Sequence, residues 1–149
     1  MIGVIIAIPV VLFLGIQLIP AWLLQNNPPV LAEPKWDSPQ TRELAQRACF
    51  DCHSNETVWP WYSRVAPVSW LATLDTVRGR RRLNFSEWGL ATGGEGGESG
   101  EGGEGGGEIG EVISNGQMPP ASYVALHPQA NLTDAEKQQL IAGLEASLK

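Results

Sequence analysis

The sequence predicts an all-α domain behind one N-terminal membrane-spanning helix. Three observations carry that expectation: an uncharged apolar run at the start, helical spacing with capping signals beyond it, and no convincing period-two alternation over strand length anywhere in the soluble part. With 149 residues there is room for one compact domain and an appendage.

Residues 1–24 are the appendage. From Ile2 to Leu24 no side chain is charged and only Gln17 is plainly polar. About 23 residues rising ~1.5 Å each make a helix of ~35 Å, enough to cross ~30 Å of hydrocarbon. A cleaved signal peptide would carry a basic n-region and small residues before a cut site; residues 1–6 hold no Lys or Arg, and Ile19-Pro20-Ala21-Trp22 is a poor site. An uncleaved anchor is expected, kinked at Pro9, with space for a partner helix beside the kink.

Residues 25–37 contain Pro28, Pro29 and Pro34, which predicts an extended, semi-rigid tether setting the following domain off the membrane. The domain, residues 38–149, opens with Ser38-Pro39, an N-cap followed by proline at the first helical position, and a helix through Thr41 to Cys49. Val68, Leu71, Ala72, Leu74 and Val77 recur near helical spacing before Gly79 and predict a second helix. In residues 93–110, eleven of eighteen are glycine, interleaved with glutamate, which predicts a flexible loop; calcium binding is disfavoured because no EF-hand spacing is present. A short helix is expected from Ile109 to Ser114, stopped by Asn115-Gly116. Thr133 and Glu136 form a capping box, and Leu140, Ile141, Leu144 and Leu148 mark the apolar face of a final helix.

The net charge of −6 is local. Glu95, Glu98, Glu101, Glu104, Glu108 and Glu111 account for it, since the other ten carboxylates balance ten Lys and Arg. No globally steered partner follows, and the short basic cluster Arg78-Gly79-Arg80-Arg81-Arg82 gives no support for nucleic-acid binding.

The chemistry is concentrated in Cys49-Phe50-Asp51-Cys52-His53. This C-x-x-C-H spacing is the attachment pattern of c-type haem: two thiols on one turn can add to the vinyl groups of one porphyrin, with the next residue, His53, as axial ligand. A thioredoxin-like pair would need a βαβ setting, and a zinc site would need a fourth ligand that the composition hardly offers. For the second axial position the candidates are Met118 and His127. Met118 is preferred because Pro119 and Pro120 stiffen the backbone after it and it is not on an apolar helical face, where a methionine would simply fill core. Trp59, Trp61, Tyr62 and Trp70 are expected to bury apolar area around the porphyrin, with ordinary core packing equally open for each. Arg80 is a candidate partner for a propionate, whereas Arg78, Arg81 and Arg82 read as a solvated face or a lipid headgroup contact.

At this point the sequence resembles the bacterial haem-binding domain family of small, membrane-anchored, monohaem cytochrome-c-like proteins. The resemblance rests on Cys49-Phe50-Asp51-Cys52-His53-Ser54-Asn55, Trp59-Pro60-Trp61-Tyr62-Ser63, Ala66-Pro67-Val68-Ser69-Trp70, Gly79-Arg80 with Leu83-Asn84-Phe85-Ser86 and Trp88, and Met118-Pro119-Pro120 with Tyr123 and His127-Pro128. It covers most of the chain from about Ser38 to Leu148. It implies a cytochrome-c-like helical fold, haem on Cys49, Cys52 and His53, and Met118 as second ligand. The Gly/Glu segment departs from the family, whose members tend to carry a polar, helix-compatible stretch there.

The expected function is electron transfer through one covalent haem c on the periplasmic or lumenal side of a bacterial cytoplasmic or thylakoid-type membrane, with no substrate transformed. The chain would act as a carrier or as a subunit of a larger membrane electron-transfer complex, contacting lipid through its N-terminal helix and redox proteins through its domain. The competing class is a haem-based sensor or peroxidase-like enzyme, which requires a labile sixth ligand.

Overall fold

In the computed structural model, which describes residues 2–90 and 105–147, the chain is helical, and among the described residues one isolated parallel bridge, Ala32 with Glu87, is the sole β-type pairing. The helices are α1 (Ile2–Ile16), α2 (Pro39–Ala48), α3 (Phe50–His53), α4 (Val68–Arg82), α5 (Gly105–Ser114), α6 (Ala121–Leu126) and α7 (Asp134–Ser147), with 3-10 turns at Ala21–Leu24, Trp61–Arg64 and Pro128–Ala130. Residues 91–104, which include most of the expected Gly/Glu loop, and Leu148 lie outside the described residues.

The stretch Ile5–Leu24 is apolar enough to cross a membrane, with a mean hydropathy of 2.3 and none of it buried within the protein. It is not one continuous helix to Leu24. Helix α1 stops at Ile16, because Pro20 removes a backbone donor and the Gln17 side chain turns to partners elsewhere in the fold.

The proline-rich segment runs extended, as its prolines require, but along the domain and not away from it. The N–H groups of Leu31 and Ala32 donate to the Ser86 carbonyl at 2.9 and 3.1 Å, Trp88 N–H donates to Ala32 at 3.0 Å, and Pro34 is buried. Trp36 continues into the core, where its ring lies 6.1 Å from Phe50 and 5.4 Å from Phe85. Phe85 in turn stacks on Phe50 at 5.6 Å and on Trp88 at 6.4 Å.

Helix α2 starts as its sequence dictates, with the Ser38 hydroxyl accepting from Thr41 N–H at 3.2 Å and Pro39 opening the first turn. Its buried face, Leu44, Ala45 and Ala48, meets Leu140 and Leu144 of α7. Helix α7 carries the expected capping box: Glu136 N–H donates to Thr133 Oγ1 at 3.2 Å and Thr133 N–H donates back to a Glu136 carboxylate oxygen at 2.8 Å. These bonds and the Arg47 guanidinium at 2.7 Å lower the Glu136 carboxyl to about 2. Gly143 crosses α2 so closely that a Cβ there would overlap the Thr41 side chain. Helix α5 packs on α7 through Gly110 and Ile113, beginning at Gly105 and so taking in residues expected to be loop. It ends at Ser114, and Gly116, with a φ of +75°, supplies the left-handed stop foreseen for Asn115-Gly116.

Helix α4 runs through Gly79 to Arg82, longer than its spacing suggested. Its buried face is Ser69, Thr73, Thr76 and Gly79, while Val68, Leu71 and Leu74 are exposed. Small residues allow the helix backbone to sit tightly on α3, and Thr73 and Thr76 satisfy their hydroxyls on the carbonyls of Ser69 and Ala72. The apolar side of α4 is thereby left facing outward.

Replacing Gly143 with alanine is expected to destabilise the chain by roughly 1–3 kcal/mol through overpacking of the α2–α7 crossing. A denaturant midpoint equal to that of the unaltered chain would contradict this crossing.

Candidate functional site

The open side of α4 is one wall of a cavity of about 680 Å³, within the range of small-molecule and cofactor sites. Cys49, Cys52 and His53 line it together with Val68, Leu71 and Ala72, and Met118, Trp59 and Tyr62 complete the group of expected site residues that meet there.

Sequence and backbone together explain how the attachment turn is held. Cys49 N–H donates to the Ala45 carbonyl at 2.8 Å and His53 N–H to the Cys49 carbonyl at 2.9 Å, so α3 continues from α2 with a bend at Cys49. Gly79 of α4 lies against the Cys52 backbone, where any Cβ would collide with the Cys52 carbonyl. After α4, Phe85 N–H donates to the His53 carbonyl at 2.8 Å, Asn55 N–H to Ser86 Oγ at 2.9 Å, and Asn84 Nδ2 to Asn55 Oδ1 at 3.0 Å. The segments Ser54-Asn55 and Leu83-Asn84-Phe85-Ser86 are therefore one hydrogen-bonded unit behind the cysteines.

His53 is poised as a ligand. Its Nδ1 lies 3.1 Å from the Leu83 carbonyl, which can only accept, so Nδ1 carries the proton and Nε2 keeps its lone pair. Burial holds its pKa below the ordinary imidazole value, with the Leu83 carbonyl opposing, so the ring is neutral at neutral pH.

Burial also pushes the Cys49 thiol up to about 12 and the Cys52 thiol up to about 11, with the neighbouring cysteine and carboxylates adding to it. A dithiol redox pair needs the opposite, a depressed thiol. Among the described residues no group of three or more His, Cys, Asp or Glu is arranged for a metal ion, which leaves the zinc reading unsupported.

His127 lines the cavity with both ring nitrogens engaged. Nδ1 donates to the Tyr123 carbonyl at 2.9 Å, leaving Nε2 to accept the Tyr62 hydroxyl at 3.0 Å, and the ring stacks on Tyr123 at 3.9 Å. The Tyr123 hydroxyl donates to Asp51 Oδ2 at 2.7 Å, and burial with that bond pushes its pKa up. Met118 is half-buried, touches the core cluster and is fixed by its N–H on the Val112 carbonyl at 2.9 Å. Of the two candidate sixth ligands, Met118 is the one with no competing side-chain partner among the described residues.

Three expected site residues lie off the cavity. Trp61 is 78% exposed on its 3-10 turn. The Trp70 indole donates to the Ile19 carbonyl at 3.3 Å, just beyond the end of α1. Arg80 is spent on the scaffold: it donates to the Ser54 and Asn26 carbonyls at 2.7 and 2.8 Å and to Asn27 Oδ1 and Thr57 Oγ1 at 3.0 and 2.8 Å. The cations on the cavity wall are Arg78 and Arg82, and Tyr123 joins Trp59 and Tyr62 as its aromatic lining. A signal for the two arginines was present, since Leu71, Asp75, Arg78 and Arg82 recur at helical spacing.

Substituting Gly79 by alanine should force α4 off the Cys52 backbone and lower the unfolding free energy by roughly 1–3 kcal/mol. Chemical denaturation that finds no loss would mean that this contact does not position the wall.

A family model described as Haem-binding domain matches residues 11–146. No curated protein and no solved structure matches the chain.

Proposed function

The chain belongs to the haem-binding domain family, and from that premise we propose that it is a membrane-anchored, monohaem c-type cytochrome with a cytochrome-c-like domain that transfers electrons on the periplasmic or lumenal side of a bacterial membrane. The observation that carries this reading is the meeting of both cysteines, the neutral His53 and Met118 on one apolar-walled cavity. The donor set fits haem c: Cys49 and Cys52 would form the thioether bonds, and His53 Nε2 and the Met118 sulfur would hold the iron.

Haem bound there supplies a one-electron iron couple. What the protein supplies is environment. The Leu83 carbonyl fixes the His53 tautomer and raises its basicity, Val68, Leu71 and Ala72 would exclude water once the cavity is filled, and Arg78 and Arg82 would offset propionate charge. The Asp51–Tyr123 and Tyr62–His127 hydrogen bonds tie α6, which directly follows Met118-Pro119-Pro120, to the attachment turn and to the cavity rim. With the iron held by both His53 and Met118, the protein would transform no substrate and would act as a carrier, or as a subunit of a complex, for redox partners.

Met118→Ala is expected to lower the reduction potential by more than ~59 mV, a tenfold change in a one-electron equilibrium, and to let the reduced protein bind carbon monoxide. An unchanged potential would remove Met118 from the iron. Ready carbon monoxide binding by the unaltered protein would favour the sensor or peroxidase-like alternative.

A further inference from the structure

Gln17 is the one plainly polar side chain in the apolar run, and it is not directed at a neighbouring turn alone. Its carboxamide closes both backbone bonds of one residue of the domain: Nε2 donates to the Ala66 carbonyl at 3.1 Å, and Ala66 N–H donates to Oε1 at 2.9 Å. Trp70 Nε1 donates to the Ile19 carbonyl at 3.3 Å, and the Gln25 amide reaches Thr73 Oγ1 at 3.0 Å and the Ser63 carbonyl. The domain is clamped to the end of the span at three points.

The position of this clamp along the sequence is what matters. Leu18, Ile19, Trp22, Leu23 and Leu24 follow Gln17, carry no charge and are 56–83% exposed, so lipid is what would cover them. A loop bonded to Gln17 then lies no farther from the bilayer than they do. That loop is built for such a depth. Val65 N–H donates to the Tyr62 carbonyl at 3.1 Å, Ala66 N–H is taken by Gln17, and Pro67 has no N–H, so these residues leave no amide donor free. Around them Trp61 and Val65 are exposed, and the 3-10 turn Ala21–Leu24 packs on the turn Trp61–Arg64 and on α4.

Building on the anchor assigned under the proposed function, we infer that the domain lies on the bilayer, with the turn Trp61–Arg64 and the loop Val65–Pro67 immersed in the lipid interface beside Trp22, Leu23 and Leu24. The occupant of this face is lipid, continuous with that around the span. The orientation of the cavity relative to the membrane is consequently fixed by the Gln17, Trp70 and Gln25 contacts and not left to a swinging tether.

The test uses the full haem-loaded chain in phosphatidylcholine vesicles, spin-labelled through Val65→Cys, with Gln138→Cys on α7, which does not contact the anchor, as reference. The label at 65 is expected to relax more with apolar oxygen than with a water-soluble nickel chelate, and the label at 138 to show the reverse. Gln17→Leu combined with Trp70→Phe and Gln25→Leu, which keeps the span apolar and removes all three contacts, should abolish the oxygen preference at 65. Nickel preference at 65 in the unaltered chain, or an oxygen preference that survives the triple substitution, overturns the inference. A label at 65 shielded from both reagents puts a second copy of the chain on this face and overturns the lipid assignment. Failure of the chain to float with the vesicles overturns the anchor itself.

Discussion

The close approach of α4 to the attachment turn, possible because position 79 is glycine, is the constraint on which the rest of the site depends. With the helix backbone resting on the Cys52 carbonyl, the chain leaving α4 brings the Leu83 carbonyl to His53 Nδ1, and Phe85 and Ser86 then bond the backbone of His53 and Asn55. The same approach turns Val68, Leu71 and Ala72 toward the cavity. A bulkier residue at 79 would disturb the wall, the imidazole tautomer and the second layer of hydrogen bonds together.

The spacing of apolar residues in α4 identifies the helix and no more, because hydrophobic periodicity reports which side avoids water and not what covers it. In this chain the core is supplied by Trp36, Phe50, Phe85 and Trp88 together with α2, α5 and α7, and Val68, Leu71 and Ala72 of α4 line the cavity. An all-α fold, the Ser38 and Thr133 caps and the stop at Gly116 were legible, since each depends on local chemistry alone. Arg80 was not, because its four acceptors come from residues 26, 27, 54 and 57, which only tertiary structure brings together.

The site itself was half legible. Cys49, Cys52 and His53 are adjacent in sequence and meet as their spacing required, and Met118 reaches the same cavity from sixty-five residues beyond His53. Trp61 and Trp70 were grouped with Trp59 and Tyr62 by residue type, yet alternate positions of a short turn face different ways, and the Trp70 indole bonds the Ile19 carbonyl beyond α1. The proline-rich segment illustrates the same limit. Proline forecasts an extended backbone, but it does not forecast that Leu31, Ala32 and Trp88 would pair that backbone against the domain.

The central claim is that Cys49 and Cys52 hold one haem covalently while His53 ligates its iron. The mass of the acid-denatured chain, read with a haem stain after solvent extraction, tests it most directly. One haem retained per chain, with neither thiol open to alkylation, is the expected result; a colourless chain of bare polypeptide mass with two reactive thiols would contradict it.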